Sequence, residues 1–183
     1  MGGSRVKETV AFGGRVRHLS VAAACGALLA LPTSSLAQSP STNFYYKLST
    51  QFRGIGMPMD VYNGGPKDNQ ARLDTDQNVS GQYWRFVPAG DGSYNLTTEF
   101  RGPGMCLDIN PPTNRPELRA CGNFSGQFWQ IVPAGSWVRL TTTFRGPGMC
   151  LDIDPASNQP ELRPCGNYTG QFWMLARTDR NAP

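Results

Sequence analysis

An aspartate recurs at three corresponding places in this chain. Asp60 closes the segment Phe52-Arg53-Gly54-Ile55-Gly56-Met57-Pro58-Met59-Asp60. Asp108 closes Phe100-Arg101-Gly102-Pro103-Gly104-Met105-Cys106-Leu107-Asp108, and Asp152 closes the matching run from Phe144. In the second and third copies a glutamate and an arginine follow at the same offsets, Glu117 and Arg119, then Glu161 and Arg163. Paired carboxylates can hydrolyse a glycoside. A catalytic centre needs one asymmetric cleft, however, and this group is repeated. The only histidine, His18, lies in a segment read below as a leader, so no Ser-His-Asp or Cys-His relay is available to the rest of the chain. The expectation is a protein that is not an enzyme and uses no cofactor. The Asp-Glu-Arg group reads either as surface ion pairs of little consequence or as the lining of a polar pocket.

Cysteines have the second chemical claim. Cys106, Cys121, Cys150 and Cys165 form two pairs, each within one copy of the repeat. Three connectivities are possible, and repeat symmetry favours Cys106–Cys121 with Cys150–Cys165. Closing each loop is worth about 3 kcal/mol on the chain-entropy account. The spacing is not that of a zinc site and no histidine is at hand, so no metal is expected. The first copy has Pro58 and Asp76 where the others have cysteines.

These residues sit inside a longer period. Gly81-Gln82-Tyr83-Trp84, Gly126-Gln127-Phe128-Trp129 and Gly170-Gln171-Phe172-Trp173 are one motif written three times. Such a period sets the architecture before any local reading. Each copy reads as four short strands. In the second these are Tyr94 to Phe100, Met105 to Ile109, Glu117 to Cys121 and Gln127 to Val132, separated by Gly- and Pro-rich turns. Three such units are too few for a propeller. They can close as a barrel with pseudo-threefold symmetry, so the expected fold is all-β, a β-trefoil of about twelve short strands. Trp84, Trp129 and Trp173 would then meet near the barrel axis. Gln82, Gln127 and Gln171, two positions earlier, would lie on the same strand face and bond loop backbone of their own repeat.

The N-terminus reads separately. Arg5, Lys7, Arg15 and Arg17 form a basic region, Leu19 to Leu31 is largely apolar, and Ser35-Leu36-Ala37 has the small residues of a cleavage site. Residues 1–37 are therefore expected to be a signal peptide, and the protein secreted or periplasmic. Ala22-Ala23-Ala24-Cys25 offers lipid attachment as an alternative, but the apolar run continues past Cys25. That run is too short for a membrane span. Of 17 basic residues four lie in this leader, and of 13 acidic residues only Glu8 does, which leaves 13 basic and 12 acidic, a net of +1. A near-neutral remainder does not point to nucleic acid or to anionic lipid. The expected divisions are a short linker at 38–43, the trefoil at 44–178 and a tail at 179–183.

Gln-x-Trp in register three times, with Cys-Leu-Asp upstream and a second cysteine between, resembles the ricin B-chain-type β-trefoil lectins over roughly residues 44–178. The resemblance implies a non-catalytic carbohydrate-binding module whose partner is a glycan or polysaccharide. It implies that Asp108 and Asp152, with Asp60 in the more divergent first copy, accept hydrogen bonds from sugar hydroxyls. The family pattern is kept only in part. An Asn usual before the Gln is Gly81, Gly126 and Gly170 here. An aromatic platform usual two residues before the second cysteine is Asp74, Arg119 and Arg163. A Gln often seen two residues before the platform is Arg72, Glu117 and Glu161. Phe124 and Tyr168 are the candidate replacement platforms, and Glu117 and Glu161 the candidate polar lining. The changed positions also leave open a trefoil that docks a protein partner or delivers a toxin, with degenerate sugar sites.

Overall fold

The structure, a computed structural model, describes residues 39–183; the signal-peptide reading of 1–37 lies outside the described residues. Those described form twelve strands and four short 3-10 turns. The first repeat supplies β1 (Phe44–Thr50), β2 (Met59–Val61), β3 (Ala71–Leu73) and β4 (Trp84–Gly90). The second supplies β5 (Ser93–Thr98), β6 (Gly102–Asn110), β7 (Arg115–Ala120) and β8 (Trp129–Ala134). The third supplies β9 (Trp137–Thr142), β10 (Met149–Ile153), β11 (Pro160–Pro164) and β12 (Trp173–Asn181).

The pairing closes a ring in the order β1-β4-β5-β8-β9-β12 and back to β1, all antiparallel. Closure removes the sheet edges that an open sheet of this size would expose. Within each repeat the first and fourth strands touch at one bridge, and that bridge is always at the tryptophan: Tyr46–Trp84, Tyr94–Trp129 and Val138–Trp173. The strands β2–β3, β6–β7 and β10–β11 are hairpins. They are joined cyclically. Leu73 N–H donates to Asn158 O at 2.7 Å, Leu118 to Asn69 at 2.8 Å and Leu162 to Asn114 at 2.9 Å. Asn158, Asn69 and Asn114 have φ of 55°, 69° and 55°, a left-handed conformation that Asn tolerates better than most residues. This arrangement is the β-trefoil expected from the repeat.

Trp84, Trp129 and Trp173 are fully buried in one core cluster that also contains Leu48, Leu96 and Leu140. Each indole N–H donates to a backbone carbonyl of its repeat's second strand: Met59 at 2.8 Å, Leu107 at 2.7 Å and Leu151 at 2.8 Å. The tryptophan therefore buries its apolar area without orphaning its one donor.

Both disulfides join the expected partners, with Cα separations of 4.9 Å for Cys106–Cys121 and 5.0 Å for Cys150–Cys165. The first repeat keeps the same backbone geometry without a bridge. Asp76 N–H donates to Gly56 O at 2.9 Å, as Cys121 does to Gly104 O and Cys165 to Gly148 O. Lys47 holds the loop instead, by an ion pair to Asp76 and a 2.9 Å hydrogen bond to Gln77 O.

Two boundaries differ from expectation. The last strand continues past 178 to Asn181, which pairs with Phe44. The segment before β1 is also tied down, because Ser41 N–H donates to the Tyr46 hydroxyl at 2.7 Å and Ala182 N–H to Asn43 O at 2.8 Å. Among the described residues no helix is long and apolar enough to cross a membrane.

Candidate functional site

The glutamines of the repeated motif are not on a strand, contrary to the sequence reading. Gln82, Gln127 and Gln171 each end a 3-10 turn, Ser80–Gln82, Ser125–Gln127 and Thr169–Gln171, and the strand begins at the tryptophan. A strand register would have aimed the amide along a sheet face. The turn aims it into its own loop. There the oxygen accepts from Gln77, Gly122 or Gly166 N–H, and the nitrogen donates to Thr75, Ala120 or Pro164 O, all at 2.8–3.0 Å. All three side chains are fully buried. The expected loop-backbone partners are therefore present.

In the second and third repeats this amide has a further partner. Gln127 Nε2 donates to Asp108 Oδ2 at 3.2 Å, and Gln171 Nε2 to Asp152 Oδ2 at 3.0 Å. The other oxygen of each aspartate accepts the next residue's N–H: Asp60 from Val61 at 2.7 Å, Asp108 from Ile109 at 2.8 Å, Asp152 from Ile153 at 2.7 Å. The aspartates are only 5–7 % exposed. The glycine before each glutamine makes room for them. A Cβ built on Gly81, Gly126 or Gly170 would overlap the Oδ1 atom of Asp60, Asp108 or Asp152. The absent Asn thus has a steric cause: the carboxylate occupies that space.

Each aspartate lines a shallow recess, of about 580 Å³ in the first repeat, 350 Å³ in the second and 230 Å³ in the third. The second combines Asp108, Arg119 and Phe124; the third combines Asp152, Arg163 and Tyr168. Phe124 and Tyr168 are 58 % and 62 % exposed, with ring edges resting on Gly122 and Gly166. The first recess has Val79 at that position and gains Tyr62.

A wall of each recess comes from the following repeat, which the sequence reading missed. Phe100 lines the first recess, Phe144 the second and Phe52 the third. The repeated Phe-Arg-Gly was the available signal. Each arginine stacks on its own phenylalanine, at 4.2 Å for Arg53, 4.1 Å for Arg101 and 4.3 Å for Arg145. It then reaches the neighbouring repeat. Arg53 donates to Pro155 O at 3.0 Å, Arg101 to Asp68 at 2.7 Å, and Arg145 to Pro111 O at 3.0 Å.

Glu117 and Glu161 do not line the recesses with their aspartates. Each is the cross-strand partner of Asp108 or Asp152. Glu117 faces a separate depression at the hairpin tips, with Arg115 and Gln159. Both glutamates grip the arginines that do line the recesses, Glu117 with Arg119 at 2.5 Å and Glu161 with Arg163. The hydrogen bond that Arg163 donates to Glu161 raises the pKa of Arg163 above its ordinary value. The first repeat inverts this pair, with Arg72 and Asp74 2.6 Å apart.

Neither a protein-family model nor a curated protein matches the chain. Solved structures do. The designed threefold-symmetric protein ThreeFoil is 23 % identical, with 72 % of this chain covering 97 % of that one and a TM-score of 0.63. The Polyporus squamosus lectin, bound to the epitope Neu5Aca2-6Galb1-4GlcNAc, is 13 % identical at a TM-score of 0.61, over 75 % of this chain. This chain spans 50 % of that lectin's length. Cytolethal distending toxin from Actinobacillus actinomycetemcomitans is 17 % identical at a TM-score of 0.60, with 79 % and 98 % covered. At these identities the likeness is one of fold: this chain is a β-trefoil of the kind found among lectins and toxin subunits.

Proposed function

We propose that this protein is a secreted, non-catalytic carbohydrate-binding module that takes a glycan or polysaccharide in its three related recesses. One observation carries the reading. Each recess sets a buried carboxylate and a guanidinium beside a phenylalanine from the next repeat, and in two of them a largely exposed aromatic ring stands at the rim. An aromatic left that open loses the burial it would have in the core, and a sugar's apolar face can cover it. The carboxylate and guanidinium supply directed bonds to hydroxyls. The Polyporus squamosus lectin, which shares the fold, holds a glycan.

Residues 38–183 contain no histidine, and the four cysteines among them are disulfide-bonded, so neither a Ser-His-Asp nor a Cys-His relay can form there. Polysaccharide affinity electrophoresis on the wild type and on Phe124→Ala/Tyr168→Ala tests the proposal. Retardation by at least one polysaccharide, relieved in the double variant, is the expected result. A wild type that no polysaccharide in a broad set retards would refute it. The second reading, a docking or toxin-delivery subunit, draws on Ile55, which is 70 % exposed at a turn tip. Stoichiometric co-purification of a protein partner, lost in Ile55→Asp, would support that reading.

A further inference from the structure

The three recesses are not chemically equivalent, and the difference lies in which carboxylate oxygen is already taken. Gln127 and Gln171 cap the second oxygen of Asp108 and Asp152. Gln82 donates to Thr75 O at 2.8 Å, as its counterparts do to Ala120 and Pro164 O, but makes no hydrogen bond to Asp60. The nearest cation to Asp60 Oδ2 is Arg72 Nη2 at 3.7 Å, beyond hydrogen-bond range. Asp60 is only 5 % exposed, and it lines the largest of the three recesses. It therefore keeps an acceptor facing the cavity that its two counterparts have spent internally.

Charge points the same way. The first recess holds two carboxylates, Asp60 and Asp74, against one guanidinium, Arg72. Arg72 is committed three times over: to Asp74 at 2.6 Å, to the field of Asp60, and to the face of Tyr62, 4.5 Å from its centroid. Lys67 also lies over Tyr62, at 5.4 Å, but lines the depression at the hairpin tips rather than this recess. An anionic group entering here meets two carboxylates and no unengaged cation. A hydroxyl or an ammonium meets an open acceptor. The second and third recesses carry Arg119 and Arg163 where the first has Asp74, so each is lined by one carboxylate and one guanidinium, whose partners Glu117 and Glu161 lie outside the lining.

Resting on the carbohydrate-binding reading above, we propose that the first recess differs from the other two in selectivity and takes an amine-bearing sugar, a hexosamine with a free ammonium, over its acetylated or acidic counterparts. Tyr62 and Phe100 cover the ring, Asp60 Oδ2 accepts from the ammonium or an adjacent hydroxyl, and Asp74 adds its field. Arg72 fixes both carboxylates in place.

Isothermal titration with three probes tests this: a glucosamine oligosaccharide, its fully N-acetylated form and an oligogalacturonate, at a mildly acidic pH that keeps the amine protonated. The expected result is about tenfold tighter binding of the amine form over the acetylated one, with the uronate weakest. Asp60→Asn keeps the oxygen that accepts from Val61 N–H and should erase the preference, as should Asp74→Asn at a more exposed position. Asp108→Asn/Asp152→Asn should leave it intact. Uronate bound tightest, a preference that survives Asp60→Asn, or one removed by the Asp108/Asp152 pair would each overturn the inference. So would failure of all three probes, and the wider polysaccharide set then decides separately whether the module binds glycans at all.

Discussion

Replacing Gly126 with alanine adds one methyl group, and the structure assigns it a definite cost. The new Cβ would stand 3.0 Å from Ile109 N and inside the envelope of Asp108 Oδ1. The carboxylate must swing away. Two bonds go with it, the 2.8 Å acceptance from Ile109 N–H and the 3.2 Å acceptance from Gln127 Nε2. Ile109 is buried, so its N–H finds no water in exchange. Hydrogen bonds to a charged group are worth about 1.5–3 kcal/mol each, and partial relaxation recovers some of that, so the expected loss is about 2–4 kcal/mol. For a domain of this size each kcal/mol lowers Tm by about 3 °C, which gives a fall of about 6–12 °C. The control is Gly104→Ala. A Cβ there meets nothing within 4 Å and its φ is not positive. That variant should stay within about 0.5 kcal/mol of wild type. Thermal unfolding followed by circular dichroism, with disulfides intact, measures both. Equal melting temperatures for Gly126→Ala and Gly104→Ala would refute the claim that the motif's glycine exists to admit the aspartate.

Removing Cys150–Cys165 by a double serine substitution should cost about 3 kcal/mol, whereas Lys47→Ala, which removes the first repeat's ionic substitute, should cost about 1 kcal/mol or less in chemical denaturation. A larger loss from Lys47→Ala would mean that the lysine organises more than one loop. Asp154 accepts from the Ser157 hydroxyl and from Ala156 N–H, which hold its pKa below the ordinary value. Its stabilising contribution is present above the unfolded-state pKa and fades as pH falls through the lower folded one. Carboxyl NMR titration should place its midpoint below that of an unperturbed aspartate, and Ser157→Ala should raise it. A midpoint unmoved by that substitution would count against the hydrogen bond as the cause.

Most of the architecture was legible because it depends on residues that repeat. Trp84, Trp129 and Trp173 mark the start of the fourth strand in each unit, and large residues that recur in register must be buried in register. The disulfide pairing followed from the same symmetry. The reading failed where neighbouring residues in sequence part company in space. Glu117 faces Asp108 across two strands, yet its side chain serves Arg119 and a different depression. Gln127 lies two residues before Trp129, yet a 3-10 turn separates it from the strand.

The sequence by itself determined a threefold all-β chain with two cross-linked repeats and a buried Gln-Trp pair in each, because hydrophobic burial and loop closure act on residue type and spacing. Only the tertiary structure decided how the recesses are built. Each recess is closed by a phenylalanine from the next repeat, and no pattern within one repeat records that contact. The availability of an aspartate oxygen depends on whether the buried amide, bonded alike to its loop backbone in all three repeats, also comes within reach of the carboxylate, as it does for Asp108 and Asp152 but not for Asp60. Hydrogen bonding is directional over a few tenths of an ångström, and three aligned motifs cannot express that difference.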